Sequence, residues 1–220
     1  MNHTNYAFRE LKTKKDEEDF LEFLKHQTTA EYGGYQIFDG TRSHLLHIPE
    51  ELLDLILFLK VHEKKYGKKI KKFLEIGYST GKTNTILNKF FNFEQIVAID
   101  NFSAHISTDD LWANLSRKNL VLISGNSNET NMINLAKKFK PFDLIFIDGS
   151  HEYKDVKNDL QTYSKMLSEN GVLVAHDIHQ ENMGVKKAWT EFKSSTNYEY
   201  TEIFYKKSFF HCGVGIARKK

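Results

Sequence analysis

The sequence predicts a doubly wound α/β fold: a mostly parallel seven-stranded sheet, a C-terminal antiparallel hairpin and an N-terminal helical extension. Three observations carry this. Short, mostly apolar runs recur at 72–76, 96–100, 120–123, 142–147 and 171–175. Strands apolar along their whole length are covered on both faces, as in parallel sheets. The segments between them space their apolar residues as helices do, which is α/β alternation. Two last runs, 199–205 and 209–217, lie too close together for a helical crossover, so they pair antiparallel.

Each element follows in order. Residues 1–48 are weakly patterned: 16–25 carries Phe20, Leu21, Phe23 and Leu24 among acids, a short helix at best, and Gly33-Gly34-Tyr35 marks a loop. A helix begins at Pro49, where proline suits the first turn and Glu50-Glu51 suit the positive dipole end. Leu52, Leu53, Ile56 and Leu57 continue it, and Gly67 stops it. The strand at 72–76 ends at Gly77, and a helix spans 83–91. The strand at 96–100 ends at Asp100, and a helix spans 109–117. The third strand closes at Ser124-Gly125, before a helix over 129–139. The fourth ends at Asp148, before a helix over 152–167 with Tyr153, Val156, Leu160, Tyr163 and Leu167 on one face. The fifth ends at His176-Asp177, and a helix spans 185–192. This divides the chain into an extension, 1–70, and a core, 71–220.

The net charge is +2, with 31 basic residues balanced by 29 acids. A dedicated nucleic-acid binder would carry a strong basic excess, so a small-molecule partner is expected. Cys212 is the only cysteine, which excludes an intrachain disulfide and a zinc site built on several thiolates. The first twenty residues are polar, and no apolar run is long enough to span a bilayer. A soluble, cytoplasmic protein is the expectation.

Ligands of such sheets bind beyond the carboxyl ends of the strands. Glu75, Gly77, Asp100, Gly125, Asp148, His176 and Asp177 therefore share one rim. Within it, the loop from Glu75 to Thr83 runs from strand through glycines to a helix start, a cradle for a negatively charged ligand. Gly77 and Gly81 are one residue too close for a phosphate-binding P-loop. Gly77-Tyr78-Ser79 lacks the second glycine of a dinucleotide fingerprint. The pattern Glu75-x-Gly77-x-x-x-Gly81-x-Thr83 needs no repair to resemble the first motif of class I S-adenosylmethionine-dependent methyltransferases, which share a Rossmann-like sheet. It resembles most the cation-dependent O-methyltransferases. Ile147-Asp148-Gly149-Ser150-His151-Glu152-Tyr153, with Asp159 beyond it, is also similar to the bacterial macrocin-type and cephalosporin-hydroxylase-like group.

The resemblance implies a set of roles. Glu75, Gly77, Ser79, Gly81 and Thr83 would shape the donor loop. Asp100 would hold the ribose hydroxyls, Asn126 and Ser127 the adenine, and Asp148 would border donor and acceptor. A divalent cation, magnesium or manganese, would sit on Asp148, His176 and Asp177. The acceptor would be a small molecule such as a sugar. Extensions like 1–70 cover the acceptor in related enzymes or form subunit contacts, which would make the chain a homo-oligomer. Tyr32, Tyr35, Phe38 and Arg42 are then candidates to touch substrate.

The chemistry of the residues agrees. An alcohol is a poor nucleophile at neutral pH, and a divalent metal bound by carboxylates can lower its pKa. His176 departs from the carboxylate or amide usual at its position. Imidazole suits manganese, iron or zinc better than magnesium; the departure equally allows a metal-free site with His176 as base. His151, three residues beyond Asp148, is a second candidate base, since histidine titrates near neutrality. Two other classes stay open: an iron-dependent oxygenase using His176, Asp177 and Asp148, and a non-catalytic binding module.

Overall fold

The computed structural model describes residues 10–36, 44–103, 118–181, 184–207 and 211–219. Strands β1 (Lys72–Ile76), β2 (Gln95–Asp100), β3 (Leu120–Ser124), β4 (Phe142–Ile147), β5 (Leu167–His176), β6 (Glu199–Ile203) and β7 (Val214–Arg218) form one sheet. Its order is β3-β2-β1-β4-β5-β7-β6. The first five strands pair parallel, and β7 runs antiparallel to both β5 and β6. The order reverses at β1, so the ends of β1, β2 and β4 open a crevice.

Side-chain alternation divides two cores. Phe73, Leu144, Phe146, Val172, Val174 and Ile216 face one side. There they pack against α1 (Lys14–Gln27), α2 (Pro49–Tyr66) and α3 (Lys82–Phe91) through Phe20, Leu24, Leu52, Ile56, Leu59 and Leu87. Leu74, Ile76, Ile145, Ile147 and Leu173 face the other. There they meet α4 (Thr130–Lys137), α5 (Tyr153–Tyr163) and α6 (Gly184–Ser195) through Ala136, Val156, Leu160, Ala188, Trp189 and Phe192. Among the described residues no helix is long and apolar enough to cross a membrane.

Three boundaries differ from expectation. The α1 helix is a full 14 residues, because Thr13 and Asp16 close a reciprocal capping box. Such a cap contributes about 1 kcal/mol. The helix expected over 152–167 stops at Tyr163; a 3₁₀ turn, Ser164–Met166, follows, and Leu167 already pairs with Phe142 in the sheet. The strand then shifts register between Phe142 and Leu144, with Asn170 in left-handed backbone (φ 55°). That polar step hides the first half of β5 from an apolar-run reading. The last strand begins at Val214, not at 209. The helix expected over 109–117 lies outside the described residues.

The start of α2 is tied to the chain's far end. The buried Glu51 carboxylate accepts the Tyr205 N–H at 3.0 Å and the Gly213 N–H at 3.1 and 3.2 Å. Burial pushes its pKa up to about 7. Lys207 reaches Glu50 at 2.7 Å, and the Tyr205 hydroxyl donates to Asp54 at 2.7 Å.

Candidate active site

A cavity of about 420 Å³ opens at the carboxyl ends of the parallel strands. Its lining includes Gly77, Ser79, Thr83, Asp100, Asn126, Ser127, Asp148, His151, His176 and Asp177. The sequence-predicted rim thus converges in space. Glu75 and Gly81 are the members outside the lining. Glu75 is buried and accepts a hydrogen bond from the Asn84 amide at 2.7 Å, so it anchors α3 under the loop. Gly81 is the left-handed residue (φ 78°) from which α3 starts.

The glycine loop is held by backbone bonds. The Gly77 N–H donates to the Ile99 carbonyl at 2.9 Å, and the Asp148 N–H to the Ile76 carbonyl at 2.8 Å. Gly77 has φ 89°, and a Cβ there would collide with the Asp148 carbonyl. Only glycine fits so close to β4. Asp100 closes the loop from β2: its carboxylate accepts the Ser79 N–H at 2.7 Å and the Phe102 N–H at 2.6 Å. A carboxylate carries more acceptor sites than these two bonds use, so it can still take up a diol.

Ser127 sits between cavity and core. Its hydroxyl donates to Asp159 at 3.0 Å, and its carbonyl accepts the Tyr163 hydroxyl at 2.7 Å. Asp159 is buried, its Oδ1 has no hydrogen-bond partner among the described residues, and burial pushes its pKa up to about 7. An unfolded aspartate titrates near about 4. Between those values the folded chain holds a proton that the unfolded chain has lost, so stability falls as pH rises across the window. Asp159→Asn is expected to flatten this dependence, gaining on the order of 3 kcal/mol near pH 8 relative to its effect near pH 4. Thermal melts of both proteins at the two pH values check it.

The chemical end of the cavity is a knot of imidazoles and carboxylates. His176 Nδ1 lies 3.3 Å from Asp148 Oδ1 and 3.4 Å from Asp177 Oδ2. His151 Nε2 lies 3.0 Å from Asp177 Oδ2. Asp177 adopts φ 61°, and Gln180 donates to its Oδ1 at 3.1 Å. Burial opposes charge throughout, but the opposite charges outweigh it. His176 holds its proton well above the usual histidine range because Asp177 and Asp148 flank it. Asp148 and Asp177 are correspondingly lowered by His176. The hydrogen bond to Asp177 raises His151.

Four contributors escaped the sequence reading. His47, just before α2, packs its ring 4.3 Å from that of His176, tilted by 56°, and reaches Thr83 Oγ1 at 2.9 Å. Burial lowers its pKa to about 3, so it is neutral. Leu45 and Leu46 line the cavity beside it. Cys212, before β7, is fully buried, and its thiol donates to Asp177. No motif in sequence links His47 or Cys212 to the rim; the hydrogen bonds of Tyr205 and Gly213 to Glu51 in α2 bring both there. Of the extension's candidates, Tyr32 lines the cavity, Tyr35 is half exposed and outside the lining, and Phe38 and Arg42 lie outside the described residues.

Comparison with known proteins agrees with this geometry. Residues 74–178 match the family model described as a methyltransferase domain. A stretch of 63 residues is 35% identical to the uncharacterized protein y4gI of Sinorhizobium fredii. It spans 26% of this chain but only 7% of that protein. The O-methyltransferase TomG of Streptomyces achromogenes, solved with S-adenosylmethionine, superposes with a TM-score of 0.62 at 15% identity, over 90% of this chain and 89% of its own. The MycE methyltransferase, solved with magnesium, S-adenosylhomocysteine and mycinamycin VI, superposes with a TM-score of 0.54 at 16% identity, over 91% of this chain and 55% of its own. These likenesses establish the shared fold. The domain match covers the stretch from β1 to the end of β5, the part of the chain that carries the glycine loop and the strand-end carboxylates.

Proposed function

We propose that this protein is a class I S-adenosylmethionine-dependent methyltransferase that moves the donor's methyl group to an oxygen of a small acceptor, a sugar or sugar-containing metabolite, with a divalent cation at Asp148, His176 and Asp177. The observation that carries this reading is the His151–Asp177–His176–Asp148 knot facing the cavity beside the glycine loop. The acceptor class rests on the similarity of the Ile147–Tyr153 segment to the macrocin-type group.

Methyl transfer is an in-line displacement. The acceptor oxygen's electron pair forms the new C–O bond while the C–S bond breaks and its pair returns to sulfur. The protein must hold both partners in line and take up one proton. Asp177 accepts from His151 Nε2, which fixes the tautomer and leaves Nδ1 with a lone pair. In this reading Nδ1 takes the hydroxyl proton. The residues present fit a cation: two carboxylates and an imidazole converge within 3.4 Å. A bound divalent metal would lower the pKa of the acceptor hydroxyl. The magnesium in MycE supports that assignment.

Incubation with methyl-labelled S-adenosylmethionine and a panel of sugars and sugar nucleotides, with and without chelator, tests it. The expected result is label on a hydroxyl oxygen, lost with chelator. Label transferred only to amines, or transfer indifferent to chelator, overturns the respective half of the reading.

A further inference from the structure

Asp177 belongs to two ligand sets at once. One is Asp148, His151 and Asp177. The other is His176, Asp177 and Cys212, whose ligand atoms all lie within 4.8 Å of one another and whose residues are all buried. We infer that the second set is a metal site for a thiophilic divalent cation of the zinc, cobalt or iron(II) class, with Cys212 as a ligand. This rests on the metal-assisted reading above and names the metal's chemistry and its sulfur donor.

Three features support it. The donors are nitrogen, oxygen and sulfur, a combination that magnesium and calcium avoid and borderline transition metals prefer. The separations are close to what a metal needs: bonds of about 2.0–2.3 Å in a tetrahedral site put ligands roughly 3.3–3.8 Å apart, a small rotamer adjustment from those seen. His176 is buried, and its Nε2 has no hydrogen-bond partner among the described residues, so one edge of the ring is free to ligate.

The backbone around Cys212 is fixed rather than loose. The His179 N–H donates to the Cys212 carbonyl at 2.9 Å. Gly213 beside it has φ 72° and is gripped by Glu51. Gln180 Nε2 lies 3.1 Å from Asp177 Oδ1 and 3.8 Å from Cys212 Sγ, positioned to orient both. Three protein ligands with an open fourth position is the arrangement of catalytic rather than structural zinc sites, and the open position would receive the acceptor oxygen. On binding, the metal–sulfur bond would form as the thiol's proton leaves to solvent, and His176 would ligate through the nitrogen that carries no proton, its other N–H staying on the carboxylates.

The test is cobalt(II) titration of the metal-stripped full chain, followed by absorption spectroscopy. The expected result is a near-ultraviolet thiolate-to-cobalt charge-transfer band, displaced by zinc but not by excess magnesium. In Cys212→Ser the band is expected to vanish and cobalt affinity to fall roughly tenfold or more. Circular dichroism and S-adenosylmethionine affinity report whether that variant folds; if it does not, the wild-type spectrum decides by itself. Absence of cobalt binding, cobalt bound without the band, or displacement by magnesium at comparable concentration overturns the inference. Calorimetric binding of S-adenosylmethionine to the metal-free protein shows separately whether the methyltransferase reading stands.

Discussion

Asp148→Asn is expected to lower methyl transfer by about 10²–10⁴-fold, with donor affinity changed by only a few-fold. The substitution keeps the shape and the backbone bond from Asp148 N–H to Ile76. It removes one of the two negative charges around His176. That weakens any cation held there and unsettles the Asp177 contact that orients His151. The donor contacts proposed for Ser79 and Asp100 are untouched, so the loss is expected to fall on kcat. Single-turnover measurement with labelled donor checks it. A variant within tenfold of wild type would show that the chemistry lies elsewhere in the cavity.

The second large effect is expected at Asp100. Asp100→Ala should weaken S-adenosylmethionine binding by about 10–100-fold, from the loss of hydrogen bonds to a charged acceptor. Two contributions add. One is the proposed contact with the ribose diol. The other is the loop itself: without the carboxylate, the Ser79 and Phe102 N–H groups lose their partner. Ser79 has φ 48°, a conformation disfavoured for serine and held here by that bond. Asp100→Asn, which can still accept through one oxygen, should fall between wild type and alanine. Calorimetry measures the affinities. Turnover of Asp100→Ala at saturating donor should stay within several-fold of wild type, which separates a binding role from a chemical one.

The parallel half of the fold was legible because buried strands leave a plain mark. Apart from Glu75, Phe73–Ile76 and Leu144–Ile147 are apolar on both faces, and both faces are covered. The donor loop was legible for a related reason: its contacts lie close in sequence, so glycine spacing reports the turn. What failed was local ambiguity. Leu167 stands in helical register with Leu160 and Tyr163, yet it is the first residue of β5. Periodicity could not tell it from a helix end. The α1 helix was understated although Thr13-x-x-Asp16 announces its start, because its apolar face is short. His47 and Cys212 could not be read at all. Each reaches the rim through tertiary packing, and neither position has a motif around it.

The tie between Glu51 and the Tyr205–Gly213 backbone gives the two ends of the cavity different folding histories. The side-chain contacts of the glycine loop close short loops, 21 residues between Ser79 and Asp100 and nine between Asn84 and Glu75. Contacts framing His47 and Cys212 join residues 151–162 positions apart. Contacts of high sequence separation carry the larger loop-closure entropy and form late. The glycine loop therefore belongs to the early, low-contact-order part of the molecule. The side of the cavity lined by His47, with the buried Cys212 near Asp177, is assembled only when these distant segments meet.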